Sequence, residues 1–311
     1  MSETSAERPR VIVSGASGLV GTALVPALAE AGYEVIRLVR HRNGGPGTAP
    51  WEPSKGTLDP AVVDGAAAVI HLSGENIAAG RWTRAKKKRI LESRVRSTRL
   101  LAETLAGLYG PGNDDAPKPT FVSTSAIGIY GDQGARELDE NAPQGDGFLA
   151  DVCQRWEAAA SAARDAGIRV VHPRLGVVLA KEGGALEQMA RPVRFGAGGP
   201  LGTGNQYVSW ITLRDVVRVF LHLLHTPDLD GPVNVVAPQA IPQRQLAKSI
   251  GKVLHRPSLL PAPAFALRIA LGEMADEVLL ASQRIVPRVL ENQGFEFEDP
   301  TLDGALERLL G

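Results

Sequence analysis

From Arg10 onward, short apolar, β-branched runs alternate with longer segments of helical periodicity. RVIVSG reads as a strand, ALVPALAEAG as a helix closed by Gly32, and YEVIRLV as a second strand. AAVIHLSG and PTFVSTS continue the strand series. The helix CQRWEAAASAARDAG then leads into one long strand, IRVVHPRLGVVL. A glycine-rich loop, GAGGPLGTGNQYVSW, precedes the helix LRDVVRVFLHLLHT and the strand PVNVVAP. Strands separated by helices specify an α/β fold with a doubly wound parallel sheet, covered on both faces. Pro26 falls inside the first helix, where an interior proline costs about 3 kcal/mol unless a kink absorbs it. Beyond Ile241 the pattern turns helical, with HRPSLLPAPAF as a linker. The expected division is residues 8–240 for the sheet domain and 241–311 for a helical segment.

Composition narrows the partners. Lys plus Arg and Asp plus Glu are equal at 34 each, so no global field draws the chain to nucleic acid or to an anionic membrane. Cys153 is the single cysteine, which excludes an intrachain disulfide and fits a reducing compartment. The opening MSETSAERPR lacks the apolar core of a signal peptide, and no apolar run reaches the length of a membrane span. The six histidines show no metal-ligand spacing. A soluble, cytoplasmic protein without a metal is expected.

Candidate chemistry begins at Gly15, Gly18 and Gly21, which follow a strand, open a helix and precede a second strand. In that βαβ context the first glycine makes the tight turn, and the second admits a pyrophosphate at the helix N-terminus. The third allows close helix–strand packing. This is the dinucleotide fingerprint of a Rossmann-type sheet. An NAD site places Asp or Glu at the end of the second strand; here stand Arg40, His41 and Arg42, suited to a 2′-phosphate. NADP(H) is therefore the expected cofactor. Between Arg81 and Arg99 lie nine Lys or Arg residues and one Glu, with little aromatic interleaving, so a solvated helix face is expected rather than a nucleic-acid patch. Arg94 differs, sharing a helical face with Ile90, Thr98, Leu101 and Leu105. An inward guanidinium requires an anion or many hydrogen-bond acceptors; the cofactor's phosphates would supply that anion, and an ion pair with a buried Asp or Glu is the competing explanation.

Further motifs carry a family likeness. HLSGENI (71–77), STSAIGIYG (123–131), Cys153 with Trp156-Glu157, and Arg174-Leu175-Gly176 follow in order. Gly199-Pro200, Gln206, Trp210, Gly272-Glu273, Gln283 and Pro287 extend the series to the C-terminus. Together with the glycine loop they resemble an atypical, epimerase-like branch of the extended short-chain dehydrogenase/reductases, some of them described as cell-division-inhibitor-like. The resemblance implies cofactor contacts at Gly15, Ser17, Gly18, Leu19, Val20, Arg40, Leu72, Ser73, Arg94 and Val178, and a smaller C-terminal substrate lobe. It also implies that Gln206 and Trp210 face the cleft and that Gly74 passes close to a nucleotide. The superfamily's Tyr-x-x-x-Lys pair, in which the lysine lowers the tyrosine's pKa for acid/base work, falls on Leu149 and Cys153.

The remaining candidates for catalysis are Ser125, to orient a substrate oxygen, and Tyr130, as the phenolic acid. A backbone-capping hydroxyl and a packed ring are their respective alternatives. Glu75 and Asn76 either touch substrate or cap the next helix. Two functional expectations follow. One is an NADP(H)-dependent oxidoreductase or epimerase acting on a carbonyl or alcohol of a small molecule, such as a nucleotide-linked sugar. The other is a non-catalytic NADP(H)-binding protein that recognises a protein partner, linked to cell division.

Overall fold

A computed structural model describes residues 8–40, 45–112 and 117–311. The first half comprises β1 (Arg10–Ser14), α1 (Leu19–Glu30), β2 (Glu34–Val39), β3 (Thr48–Glu52), β4 (Thr57–Leu58) and β5 (Ala68–His71). It continues through α2 (Arg84–Tyr109), β6 (Thr120–Ser123), β7 (Ser125–Ala126), a 3₁₀ turn (Ile127–Tyr130), β8 (Glu137–Leu138) and α3 (Phe148–Ala158). Then follow α4 (Ser161–Asp165), β9 (Val170–Leu175), β10 (Val177–Leu179), α5 (Gly184–Arg194), β11 (Tyr207–Val208), β12 (Trp210–Thr212) and α6 (Leu213–His225). The last elements are β13 (Gly231–Val235), β14 (Ile241–Pro242), α7 (Gln243–Val253), α8 (Ala264–Leu271), a π-helical turn (Ala275–Leu280), β15 (Arg284–Ile285), α9 (Arg288–Asn292) and α10 (Leu302–Leu310).

The main sheet runs β13-β9-β6-β5-β1-β2-β3-β4, parallel except for β3 with β4. Successive side chains of β1 point to opposite faces, and both are buried. Ile12 joins Val69, Phe121, Leu101 and Leu105 beneath α2. Val11 and Val13 join Leu24, Leu28, Val216 and Phe220 beneath α1 and α6. This is the doubly wound Rossmann-type sheet that the alternation of runs calls for. Helix α1 continues through Pro26, and Gly32 follows it at φ +92°.

The run IRVVHPRLGVVL forms two strands rather than one. A Cβ at Gly176 would lie 2.7 Å from Val236 Cγ1 and 2.8 Å from the Ser209 carbonyl oxygen, so the chain leaves the main sheet there. Strand β10 then pairs with β12. A further core gathers Leu179, Leu186 and Trp210 with Ile241, Leu246, Ile250, Leu302 and Leu306. It therefore spans position 240: α7 and α10 share packing with β10, β12 and α5. No helix among the described residues is long and apolar enough to cross a membrane.

A Cβ at Gly21 would sit 2.4 Å from the Gly15 carbonyl oxygen, a backbone atom that cannot swing aside. Gly21→Ala should therefore cost about 1–3 kcal/mol, the scale of overpacking. Gly107→Ala, in α2 with open space around it, should gain about 0.5–1 kcal/mol from helix propensity. Urea denaturation of both variants measures the opposite signs.

Candidate functional site

Strand β1 ends where the sheet order reverses, between β2 and β5. At such a switch point the loops diverge and open a crevice. Gly15 turns at φ +73°, and a Cβ there would meet the Leu72 carbonyl carbon at 2.7 Å and the Ser73 nitrogen at 2.8 Å. The loop thus presses on the exit of β5. Ser17 and Gly18 are exposed, and Gly18 begins α1 with no side-chain cap. The first-turn amides of that helix are left for another acceptor. Val20, Leu72 and Val178 share one margin of the core, and a Cβ at Gly184 would lie 2.9 Å from Leu19 Cδ2. Gly15, Leu19, Val20, Leu72, Ser73 and Val178 therefore form one rim. Arg40 is exposed just beyond β2. His41 and Arg42 lie outside the described residues.

Arg94 projects from α2 toward this rim. Its Nη1 donates to the carbonyl oxygens of Glu75, at 3.0 Å, and Ile90, at 3.1 Å. The guanidinium carbon lies 5.0 Å from the centroid of the Trp156 ring. Burial pulls its pKa below the usual arginine value, with Cys153 and Glu75 opposing. Among the described residues no carboxylate forms an ion pair with it, so the structure does not supply the buried Asp or Glu that was one of the two expectations. A Cβ at Gly74 would lie 3.1 Å from Arg94 Cζ. The neighbour that Gly74 makes room for is Arg94.

The rest of the basic helix is largely paired. Lys86 and Arg89 meet Glu75, Lys87 meets Glu273, and Lys88 and Arg96 meet Glu92. Glu75 is thereby committed to lysine and arginine, and Asn76 Oδ1 accepts from Ala78 N–H. The cap of α2 is Thr83. Neither Glu75 nor Asn76 serves as that helix's cap.

Helix α3 places Leu149 in the wall of a cleft of about 260 Å³, with Gly128, Gly131, Asp146, Arg268, Leu280 and Gln283. Cys153, one turn on, is buried under it, and burial pushes the thiol up to about 12. No proton-moving pair stands at these two positions. The start of α3 is capped from the C-terminal segment: Glu277 accepts from the N–H groups of Phe148 at 3.1 Å and Leu149 at 3.0 Å. Gln206 and Trp210 correct the expectation that they face the cleft. Both are buried; Gln206 Nε2 donates to the Leu201 and Leu279 carbonyls, and Trp210 Nε1 to that of Gln239.

Tyr130 is also corrected. Its ring is fully buried with Ile129, Leu138, Cys153, Val236 and Ile285. The hydroxyl donates to Asn234 Oδ1 at 2.8 Å and accepts from Arg174 Nη1 at 2.8 Å. Burial pushes the phenol up to about 12, against the pull of Arg174 and Asn234. Such a group neither reaches the cleft nor releases a proton near neutrality. Ser125 pairs opposite Arg174, and its Oγ is buried with no hydrogen-bond partner of ordinary geometry, although it lies near enough to Glu157 to favour the carboxylate. It does not cap backbone, nor does it meet Tyr130.

The network around Tyr130 escaped the sequence reading. Arg174 Nε and Nη2 each bind Glu157 at 2.9 Å, and Glu140 accepts from the N–H groups of Asn234 and Val289. Burial opposes its charge, but Arg174 holds Glu157 below the usual carboxylate range. The available signal was polar residues inside apolar strands: Arg174 in VVHPRL and Asn234 in GPVNV. His71 was missed likewise. Ser97 Oγ donates to the Ser93 carbonyl at 2.6 Å, which leaves His71 Nε2–H to donate to Ser97 and Nδ1 to accept from Ser14 at 2.5 Å. Burial, with Arg94 nearby, lowers the imidazole pKa to about 3.

Similarity to known proteins matches this geometry. The NAD dependent epimerase/dehydratase family matches residues 11–237, and a domain of unknown function, DUF1731, matches residues 262–309. This chain belongs to the NAD-dependent epimerase/dehydratase family. An epimerase family protein of Mycobacterium tuberculosis is 40% identical over 296 residues, covering 95% of this chain and 96% of its own. The crystal structure of human epimerase family protein SDR39U1 with NADPH superposes with a TM-score of 0.85 at 33% identity, covering 97% and 99% of the two chains. A nucleoside-diphosphate sugar epimerase from Corynebacterium glutamicum reaches 0.80, also at 33%, over 98% of this chain and 59% of that one. The family's fold is thus present, and Leu149 and Cys153 stand where the motif register places the superfamily's proton-moving pair.

Two measurements test the buried polar groups. Tyr130→Phe should cost about 1–3 kcal/mol in urea, because Arg174 and Asn234 each lose a partner, and should leave NADPH affinity unchanged. For His71, the folded pKa lies below the unfolded one, so between pH 6.5 and 3 the unfolded chain takes up a proton that the folded chain refuses. Stability should fall from pH 7 to pH 5, and fall less steeply in His71→Asn. Equal slopes for the two proteins would remove His71 from the acid response.

Proposed function

We propose that this chain binds NADP(H) at the switch-point rim and acts on a carbonyl or alcohol of a small molecule held in the cleft beside Leu149. The observation that carries the cofactor half is Arg94: a half-buried guanidinium with no carboxylate partner among the described residues, standing against Gly74 just past the exit of β5. Gly15, Ser17, Gly18, Leu19 and Val20 would hold the pyrophosphate end, with Leu72, Ser73 and Val178 lining the pocket, and Arg40 would meet the 2′-phosphate. The NADPH held by human SDR39U1 supports the phosphate-bearing form. Bound there, the nicotinamide supplies hydride chemistry.

Arg94 also lies beside Cys153, and so brings positive charge near the position where the superfamily carries lysine. No comparable substitute replaces the tyrosine: Leu149 carries no proton, and Tyr130 is sealed in the core. On this reading the proton comes from water or from the substrate itself, and turnover is slow. The name of the Corynebacterium relative supports a nucleotide-linked sugar. Against that, the carboxylates of Asp132, Asp146, Asp276 and Glu277 around the cleft, facing Arg268 alone, favour an uncharged carbonyl compound over any diphosphate, nucleotide-linked sugars included. A second reading rests on the missing proton donor: a non-catalytic NADP(H)-binding protein, in the cytoplasm, that signals cofactor state to a protein partner.

Thermal shift with each nucleotide tests the assignment. NADPH at a hundred times its Kd should stabilise the fold by about 2.7 kcal/mol, and NADH at the same concentration much less. Arg40→Ala should narrow that difference, whereas Arg94→Met should weaken both nucleotides and leave the ligand-free melting curve nearly unchanged. Equal shifts from NADPH and NADH in the wild type would refute the 2′-phosphate contact. NADPH binding without turnover across a carbonyl and nucleotide-sugar screen would favour the non-catalytic reading.

A further inference from the structure

Gln283 lines the cleft beside Leu149 and is pinned at both ends. Its backbone N–H donates to the Tyr207 carbonyl at 3.0 Å, and its backbone carbonyl accepts from Ser209 Oγ at 2.8 Å. At the tip, Nε2 donates to the carbonyl oxygens of Ile127 at 3.2 Å and Gly131 at 3.1 Å, at the start of the 3₁₀ turn and just past its end. Both N–H groups of the amide are thereby spent, and turning the amide over would set its oxygen against two other carbonyls. Its orientation is fixed. Oε1 has no hydrogen-bond partner among the described residues, and it is not one of the sealed polar atoms of the interior. A half-buried side chain on the cleft wall thus holds an accessible acceptor at a set position.

We propose, resting on the carbonyl reading of the cleft, that Gln283 determines specificity: its Oε1 accepts a hydrogen bond from a substrate hydroxyl. The cleft then selects a neutral hydroxy-ketone with a compact apolar body. Leu149, Leu280 and Ala281 supply the apolar wall, and Gly128 and Gly131 add no side chain that would cover the amide oxygen. An apolar pocket with a few placed polar groups is the ordinary form of a small-molecule site. The other polar side chains of the lining are largely engaged. Asp132 Oδ1 accepts from the N–H groups of Gly134 and Ser282, and Glu277 from those of Phe148 and Leu149. Arg268, the cationic group of the lining, is held by Asp276 at 2.9 Å. The carboxylates so engaged call for no cationic ligand, and no guanidinium is left over for an anionic one. What the wall offers a ligand is a fixed acceptor. A site arranged to receive a hydroxyl rejects the analogue that lacks it, because the acceptor then loses water without gaining a partner.

Cyclohexanones that differ only in the group beside the carbonyl test the assignment: the 2-hydroxy, 2-methoxy and 2-methyl compounds. Saturation-transfer NMR titrations of the full chain with NADPH present read binding without turnover. The hydroxy compound should bind about five- to tenfold more tightly than the other two, the scale of one hydrogen bond. The methoxy compound keeps the oxygen but cannot donate, so it separates an acceptor on the protein from a donor with no variant needed. Gln283→Lys keeps donors for the Ile127 and Gly131 carbonyls and removes the acceptor, so the preference for the hydroxyl should vanish. A purely structural Gln283 would weaken all the compounds alike and leave their ratio standing. A methoxy compound bound as well as the hydroxy one, a wild type without preference, or a preference that survives in Gln283→Lys would each overturn the assignment while leaving the cleft a ketone site. Failure of every ketone to bind, with NADPH bound normally, would refute the carbonyl reading of the cleft and this assignment with it.

Discussion

The pairing of Arg174 with Glu157 organises the part of the molecule around Tyr130. A guanidinium on a central strand, 6% exposed, must be neutralised and its donors filled, or the fold pays several kcal/mol. Glu157 takes two of those donors in a bidentate bond, which fixes α3 against β9. The next donor takes the Tyr130 hydroxyl, which fixes the 3₁₀ turn, and Tyr130 in turn holds Asn234 on β13. Asn234 and Val289 then share Glu140, and so bring the C-terminal segment into the same network. One buried charge thereby ties α3, the 3₁₀ turn, β13 and the segment at Val289 to β9.

That constraint explains the chemistry the site lacks. The phenol best placed by sequence is consumed as a structural bridge, and its pKa moves away from neutrality. The two positions that would carry a tyrosine and a lysine hold Leu149, lining the cleft, and Cys153, buried against Gly128 and Arg94. The switch-point rim, by contrast, keeps a tight glycine turn, uncapped amides, a guanidinium without a carboxylate partner among the described residues and an apolar margin.

The C-terminal segment joins the two halves. Glu277 caps α3, Glu273 binds Lys87 of α2, and Ile285 packs on Tyr130. Helix α8 leaves this clamp with Phe265 and Ile269 exposed.

Local pattern alone carried the sheet, the glycine loop and the inward face of Arg94, because each depends on periodicity or spacing within a few dozen residues; Leu19, Val20, Leu72, Ser73 and Val178 came from the family likeness. The absence of the Tyr-x-x-x-Lys pair was equally legible, since it is a matter of residue identity. Tertiary structure decided the rest. Tyr130 contacts Asn234, 104 positions away, and Arg174, 44 away; no local pattern reveals that a loop tyrosine is needed there to satisfy a buried guanidinium. Gln206 and Trp210 were misplaced for the same reason, their partners being carbonyls fixed only by packing. The break at Gly176 depended on Val236 and Ser209 leaving no room for a Cβ. Sequence sets which groups exist and how they repeat along the chain; which of them face solvent, and which are spent on one another, follows from contacts between segments that only the folded chain brings together.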